Sequence, residues 1–235
     1  MLRKFANWVH LKERALHHTH GNDITDPVAR QKSWRHYLWL DHGVLRYWWK
    51  NFARVTDGVY RSNHPHHTRL AGFKDAGVTT ILNLRGAFEK APYLFEVESC
   101  AQLDLTLVSV PLGAREFPYR EKLLMLLDAM DTVEKPVVMH CKSGADRTGL
   151  AAAMYLLRDK DADLDAVRAQ LSFKFLHIRK SDTGRLDYFL DRYIADRIKT
   201  EIALRDWIET MYDRDAMIAA YDSAKAAETF WQGWR

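Results

Sequence analysis

The stretch Val138–Gly149, VMHCKSGADRTG, constrains this chain more than any other. Pro136–Met139 is apolar and β-branched, which predicts a buried strand, and from Leu150 the run LAAAMYLLRD has the apolar spacing of a helix. The residues between must then form a strand-to-helix turn. Such a turn aims backbone N–H groups and the positive end of a helix at one point, a shape suited to phosphate or a similar oxyanion. Cys141 is expected at the lip of that cup. The same donors should ease ionisation of its thiol, and a fall from about 8.5 to about 5.5 would make it almost wholly thiolate at neutral pH. A thiolate facing a bound phosphate is a nucleophile.

Cys141, five further residues, then Arg147 and Thr148 resemble the signature of the cysteine-dependent protein tyrosine phosphatase superfamily, in its compact dual-specificity branch. The resemblance implies that Cys141 attacks phosphorus to form a phosphocysteine. It implies that Arg147 grips the phosphoryl oxygens bidentately, and that the Thr148 hydroxyl eases thiolate departure. His140 takes the position that supports the loop from behind, and Lys142, Ser143, Gly144, Ala145, Asp146 and Arg147 form the phosphate cradle. No cofactor and no metal are implied. The order Val59-Tyr60-Arg61-Ser62, turn, helix, GVTTILNLRG resembles the bacterial and fungal members, so the likeness runs from about residue 57 to about 175. The fold expected is α/β, a central mixed sheet flanked by helices, with helical additions at both ends. A non-catalytic phosphate-binding module is the rival from another class. Rhodanese and arsenate-reductase readings are disfavoured by the Arg-Thr ending, and a nucleotide-hydrolysing fold by the lack of GxxxxGK.

Two departures from the pattern are informative. Most relatives carry an Asp on the loop after the third strand, where it protonates the leaving oxygen. Here that loop, residues 110–118, has none, and Ala114 stands in its place. Asp146, inside the phosphate loop as in myotubularin-type enzymes, is the preferred acid, with Glu116 the alternative and a structural role for Asp146 the plainer reading. Lys142, directly after the cysteine, resembles the lipid-directed members, although the second Lys of the phosphoinositide enzymes is Ala145 here. Substrates from phosphoprotein to inositol phosphate or phospholipid therefore stay open.

The net charge of +4 suits an anionic substrate or surface. Residues 1–56 read as a basic, aromatic helical arm, with ten Lys or Arg against four acids up to residue 55. Residues 2–17 have an amphipathic stripe that could dock on the catalytic domain, on an anionic membrane surface or on a partner. His17, His18 and His20 lack companions for a metal site. The rings Trp34, Tyr37, Trp39, Tyr47, Trp48 and Trp49 are expected to pack, with lipid contact through exposed members of the set, in two short helices split at Asp41–Gly43. Nucleic acid is disfavoured, since no recognised motif for it is present. Two cysteines form no disulfide framework and a thiolate needs reducing surroundings, so a cytoplasmic protein, peripheral to a membrane at most, is expected.

The catalytic domain is placed at residues 57–200. Its expected elements are strands at 59–62, 78–84 and 105–110, helices ending near Ala76, over 88–102 and over 121–132, and helix from Leu164 to Phe175. Lys180–Gly184 should open a helix with Leu186, Phe189, Leu190, Tyr193 and Ile194 in the core. Residues 201–235 read as a helical extension packed on the domain. Arg61 and Arg85 could meet substrate or form structural pairs. Cys100 reads as an inert apolar residue, with a resolving thiol for Cys141 as the alternative.

Overall fold

The computed structural model describes residues 21–226, so the amphipathic stripe at 2–17, the early histidines and the last nine residues of the chain lie outside the described part. Five strands form one mixed sheet: β1 (Ala53–Thr56), β2 (Val59–Asn63), β3 (Thr80–Asn83), β4 (Thr106–Ser109) and β5 (Val137–Cys141). Their order is β1-β2-β5-β3-β4, with β1 antiparallel to β2 and the other pairings parallel. β5 is buried along its whole length because helices cover both faces.

The two-residue alternation of a strand then sorts its side chains. Val137, Met139 and Cys141 enter the larger apolar cluster, together with Leu82 and Leu84. Val138 enters the smaller one, with Leu70, Ile81 and Cys100. The larger cluster is covered by α4 (Arg120–Thr132), α5 (Asp146–Leu156), α7 (Gly184–Thr200) and α8 (Leu204–Thr210). The smaller is covered by α2 (His67–Asp75) and α3 (Ala91–Gln102). Each fully buried aliphatic side chain contributes roughly 1.5–3 kcal/mol, and these two layers fix the register of β5. Leu186, Phe189, Leu190, Tyr193 and Ile194 form the buried stripe of α7 as their spacing predicts. The remaining helices are α1 (Pro27–Arg35), α6 (Leu164–Ala169) and α9 (Arg214–Ala226).

Several boundaries differ from the sequence reading. β1 is an additional strand whose signal is the Asp57-Gly58 turn, with Gly58 at φ +70°, a strong hairpin pattern. α3 begins at Ala91 rather than 88, where Pro92 suits a first helical turn. Helix does not persist from Leu164 to Phe175: it stops at Ala169, and a 3-10 turn over Phe173–Phe175 follows. There the carbonyl of Gln170 is taken by the Arg61 guanidinium at 2.8 Å. Among the described residues the expected helical extension from 201 onward is two helices, α8 and α9, broken at 211–213.

The arm residues 21–52 divide at Asp41 and His42 into α1 with a π-helical turn (His36–Leu40) and a 3-10 turn (Gly43–Tyr47). Asp26 caps α1, accepting from the N–H groups of Val28 and Ala29. Arg30 pairs with Glu98 of α3 at 2.6 Å. The aromatic set divides: Tyr37 is buried, whereas Trp39 and Trp48 are 67% and 79% exposed. Their neighbours in the π and 3-10 turns, Tyr37 and Arg46, take the inward positions.

Candidate active site

β5 lies between β2 and β3, so the connections leave its carboxyl end in opposite directions, and a crevice opens there. Asn63 pairs with Cys141 and Asn83 with His140 in the ladders, which puts the ends of three parallel strands around the loop of residues 142–145. Gly144 sits at φ +75°, and a Cβ there would meet the Ser62 and Asn63 backbone at 2.8 Å. Only glycine lets the loop lie this close to β2. Gly149 permits a second close approach, since its Cβ would fall 2.6 Å from the Gln170 carbonyl. α5 starts at Asp146, four residues before the sequence reading, and no side chain caps it. Its first-turn amides therefore remain available to an anion.

Cys141 lies on the floor of the cup and not at its lip: it is the last residue of β5 and 1% exposed. The correction follows from the alternation that turns its side chain into the larger cluster. Burial alone would raise the thiol pKa, but the charge of Arg147 and hydrogen bonding from Thr148 outweigh it, and the net shift is downward. The Gly144 N–H also points at Sγ, at 3.3 Å. Thr148 is fully buried, and its hydroxyl has no partner of ordinary hydrogen-bond geometry beyond its influence on the sulfur.

A cavity of about 680 Å³ opens above, lined by Leu112–Glu116, Lys142, Ser143, Asp146, Arg147 and Thr183. Arg147 also borders a neighbouring cavity of about 300 Å³ that holds Arg85, Lys90 and Phe88. Gly144 and Ala145, within the loop itself, are buried. Both expected acid candidates face the larger cavity. The Glu116 carboxylate lies 3.6 Å from Arg214, whose Nε donates to the Phe117 carbonyl, while Tyr212 donates to the Pro118 carbonyl at 2.6 Å. The C-terminal additions thus pin the loop that would carry an acid in the related pattern. Asp146 accepts from His177 Nδ1 at 2.8 Å, and His177 Nε2 meets Asp187 at 2.7 Å.

The loop is braced on three other sides. Arg61 is fully buried, donates to the carbonyls of Gly144 at 2.7 Å and Gln170, and stacks 3.6 Å above the Phe175 ring. It is a structural pair, and burial pulls its pKa down to about 10. Behind the loop, His140 Nε2 meets Glu96 Oε1 at 2.5 Å, both groups fully buried. Asp41 of the arm supplies the third brace. Its carboxylate, 3% exposed, binds Arg46 at 2.8 Å and Arg85 at 2.7 Å and lies 3.7 Å from Lys142 Nζ. Burial opposes its charge, yet Arg85, Arg46 and Lys142 hold its pKa well below the usual carboxylate range. Asn51 adds hydrogen bonds to the carbonyls of Ser143 at 2.9 Å and Phe175 at 3.0 Å.

A family model described as the DSP-PTPase phosphatase of polymorphic toxin systems matches residues 55–161. Over residues 55–161 the chain is thus similar to the dual-specificity phosphatase-like family. The dual specificity protein phosphatase TpbA of Pseudomonas aeruginosa (strain UCBPP-PA14) is 32% identical over 124 residues, 50% of this chain and 53% of that protein. The inositol diphosphatase DSP4 of Arabidopsis thaliana is 31% identical over 111 residues, 42% of this chain and 51% of that protein. The chain thus spans about half the length of these relatives. A DUF442 protein of Shewanella putrefaciens CN-32 shares the fold, at 20% identity and a TM-score of 0.52 over 63% of this chain and 90% of that one.

Within this dual-specificity phosphatase-like frame, Cys141, Lys142, Ser143, Asp146, Arg147, Thr148 and His140 converge on one crevice as the motif implies. Asp41, Glu96, His177 and Asp187 converge on it too, without any sequence signal beyond their residue type. His64, Glu96 and His140 offer three ligand atoms within 4.8 Å of one another. Glu96 and His140 are in direct contact at 2.5 Å, however, and Arg85 Nη1 lies 3.4 Å from His64 Nδ1, a charge that repels a cation. Cys100 lies in the smaller cluster on the other face of the sheet from Cys141, and burial pushes its pKa up to about 12, which suits the inert reading and opposes the resolving thiol.

Proposed function

We propose that this chain is a phosphomonoester hydrolase that works through a phosphocysteine on Cys141, acting on phosphotyrosine- or phosphoserine/threonine-bearing proteins. The observation that carries this reading is the Cys141 thiol: buried, lowered in pKa, and set in register with Arg147 at the start of an uncapped helix. Cys141 attacks phosphorus, Arg147 neutralises the equatorial oxygens as charge moves, Thr148 stabilises the departing sulfur, and Asp146 serves the leaving oxygen. Lys142, Ser143, Gly144 and Ala145 complete the cradle, with His140 behind it. The purified protein should hydrolyse nitrophenyl phosphate, and Cys141→Ser should abolish turnover while still binding vanadate. Full activity in that variant rules the reading out; turnover absent from the wild type as well leaves the phosphate-binding module in its place.

An inositol phosphate or phospholipid substrate is the second reading. It is favoured by Lys142 at the cavity wall and by Arg147 bordering a second cavity that contains Lys90. Lys142→Met should then impair hydrolysis of a phosphoinositide more than that of a phosphotyrosine peptide, and equal loss would assign Lys142 to the loop alone. No helix among the described residues is long and apolar enough to cross a membrane. A cytoplasmic setting, with peripheral contact to an anionic membrane through exposed Trp39 and Trp48, accords with the reduced thiol and the basic arm.

A further inference from the structure

His177 lies beyond the family match, between a 3-10 turn and α7, with Leu176 before it in the left-handed conformation at φ 59°. Its imidazole has no solvent-exposed surface. Both ring nitrogens face carboxylates at hydrogen-bonding distance: Nδ1 meets Asp146 Oδ1 at 2.8 Å and Nε2 meets Asp187 Oδ2 at 2.7 Å. A carboxylate offers only acceptors and a neutral imidazole only one N–H, so two such contacts at once require the doubly protonated ring. Asp187 is buried on α7, whereas Asp146 is 22% exposed and lines the cavity above Cys141. The chain of groups therefore runs from the protein interior to the place where a leaving oxygen would stand.

We propose that Asp146, His177 and Asp187 form a proton relay for the reaction, in which His177 is a positioning residue that fixes the Asp146 carboxylate and holds the proton Asp146 delivers. The proposal rests on the phosphatase reading above. It also answers a chemical question, because a carboxylate that accepts from an imidazolium has that ring as the source of the proton it delivers. In the first step the S–P bond forms and the bond from phosphorus to the leaving oxygen breaks. The proton on His177 Nδ1 passes to Asp146, whose carboxyl turns its O–H to the cavity and protonates the leaving oxygen. His177 is then neutral and still donates Nε2–H to Asp187. In the second step water attacks phosphorus, the P–S bond breaks and the thiolate returns. The proton lost by water goes to Asp146 and back to Nδ1, which restores the starting state.

The charges facing this relay come from every side. Arg147 and Cys141 lie on the loop side, since each is charged or ionised beside Asp146. On α7, Asp191 is tied to Arg179 at 2.8 Å and lies near Arg168 at 3.6 Å. Tyr221 of α9 carries the Arg185 guanidinium over its ring and feels Asp187. Burial would lower the His177 pKa, but the hydrogen bonds it donates to Asp146 and Asp187 raise it to about 9. The proton is thus present throughout the neutral range.

The test is hydrolysis of an alkyl phosphate and of nitrophenyl phosphate across pH 5 to 10 by wild type, His177→Gln and Asp187→Asn, since a good leaving group needs no proton. The wild type should lose alkyl phosphatase activity as pH rises through about 9. His177→Gln should cut alkyl phosphate turnover by at least about tenfold and abolish that basic limb, with nitrophenyl phosphate turnover and vanadate affinity nearly unchanged. Asp187→Asn keeps an acceptor for Nε2–H, and should fold and move the basic limb to lower pH; it carries the test should His177→Gln not fold. An unchanged ratio of the two rates with an unchanged pH profile in both variants overturns the relay, as does equal loss on both esters with the basic limb in place. Wild type inert on both esters overturns the phosphatase reading itself, a different result from either.

Discussion

Two buried histidines flank the phosphate loop, and their surroundings give them opposite charge. His64, on the α3 side, is 2% exposed and lies edge-on to His140 at a ring distance of 4.9 Å. Burial depresses its pKa, and Arg85, His140, Arg46 and Arg69 push it further down, so it stays neutral. His177, on the α7 side, is as well buried but faces Asp146 and Asp187, and its pKa rises to about 9. Burial is common to both, so the neighbouring charge decides. One side of the loop holds a neutral imidazole within a brace closed by Asp41 and Glu96; the other is a charged chain that reaches the cavity.

The largest effect that could break this contrast is on the brace. Asp41→Ala leaves the guanidinium of Arg46, 3% exposed, without its carboxylate, and should cost about 3–5 kcal/mol in urea unfolding. A loss below about 1 kcal/mol would mean that the arm does not hold the loop. The next effect separates the two histidines by pH. His177 has a folded pKa above its unfolded value, so its contribution is fully present below about 6.5 and is lost as pH rises through about 9. The stability of the wild type should fall by roughly 3 kcal/mol over that window, and in His177→Gln the slope should be flat there. Asp41 acts at the other end: its depressed pKa makes its contribution present above the usual carboxylate range and lost in acid. Smaller still, Glu96→Gln weakens only the ionic contact with His140, and a loss of about 1–2 kcal/mol in thermal unfolding is expected, with no change in the alkyl-to-aryl rate ratio. A changed ratio would place the α3 side in the chemistry. The smallest effect is that of Cys100→Ala, about 1 kcal/mol, with the rate of peroxide inactivation as in wild type; slower recovery by thiols after peroxide would revive a resolving role.

The loop was legible because its chemistry is contiguous: strand, glycine, Arg-Thr and helix within Val138–Gly149 dictate the turn. The sheet was legible in part, since buried parallel strands read as apolar runs, whereas β1 is short, half-polar and on an edge. The braces were not legible. Asp41, Glu96 and Asp187 come from the arm, α3 and α7, and an acid on a helix carries no mark of the buried base it meets. His177 stands in FLHIRK, a stretch without periodicity, and its role depends on a chain reversal after Ala169 that helical spacing concealed. Cys141 was placed one level too high, because the turn geometry does not reveal that strand alternation turns the thiol inward.

The central claim is that Cys141 carries the phosphoryl group. Mixing the protein with excess nitrophenyl phosphate, quenching in acid within milliseconds and weighing the proteolytic peptides should show one added phosphoryl group on the peptide containing Cys141. The adduct should be absent from Cys141→Ser and should accumulate in Asp146→Asn, where water is no longer activated. Steady turnover with no adduct on that peptide at any quench time, and undiminished in Cys141→Ser, would contradict the account.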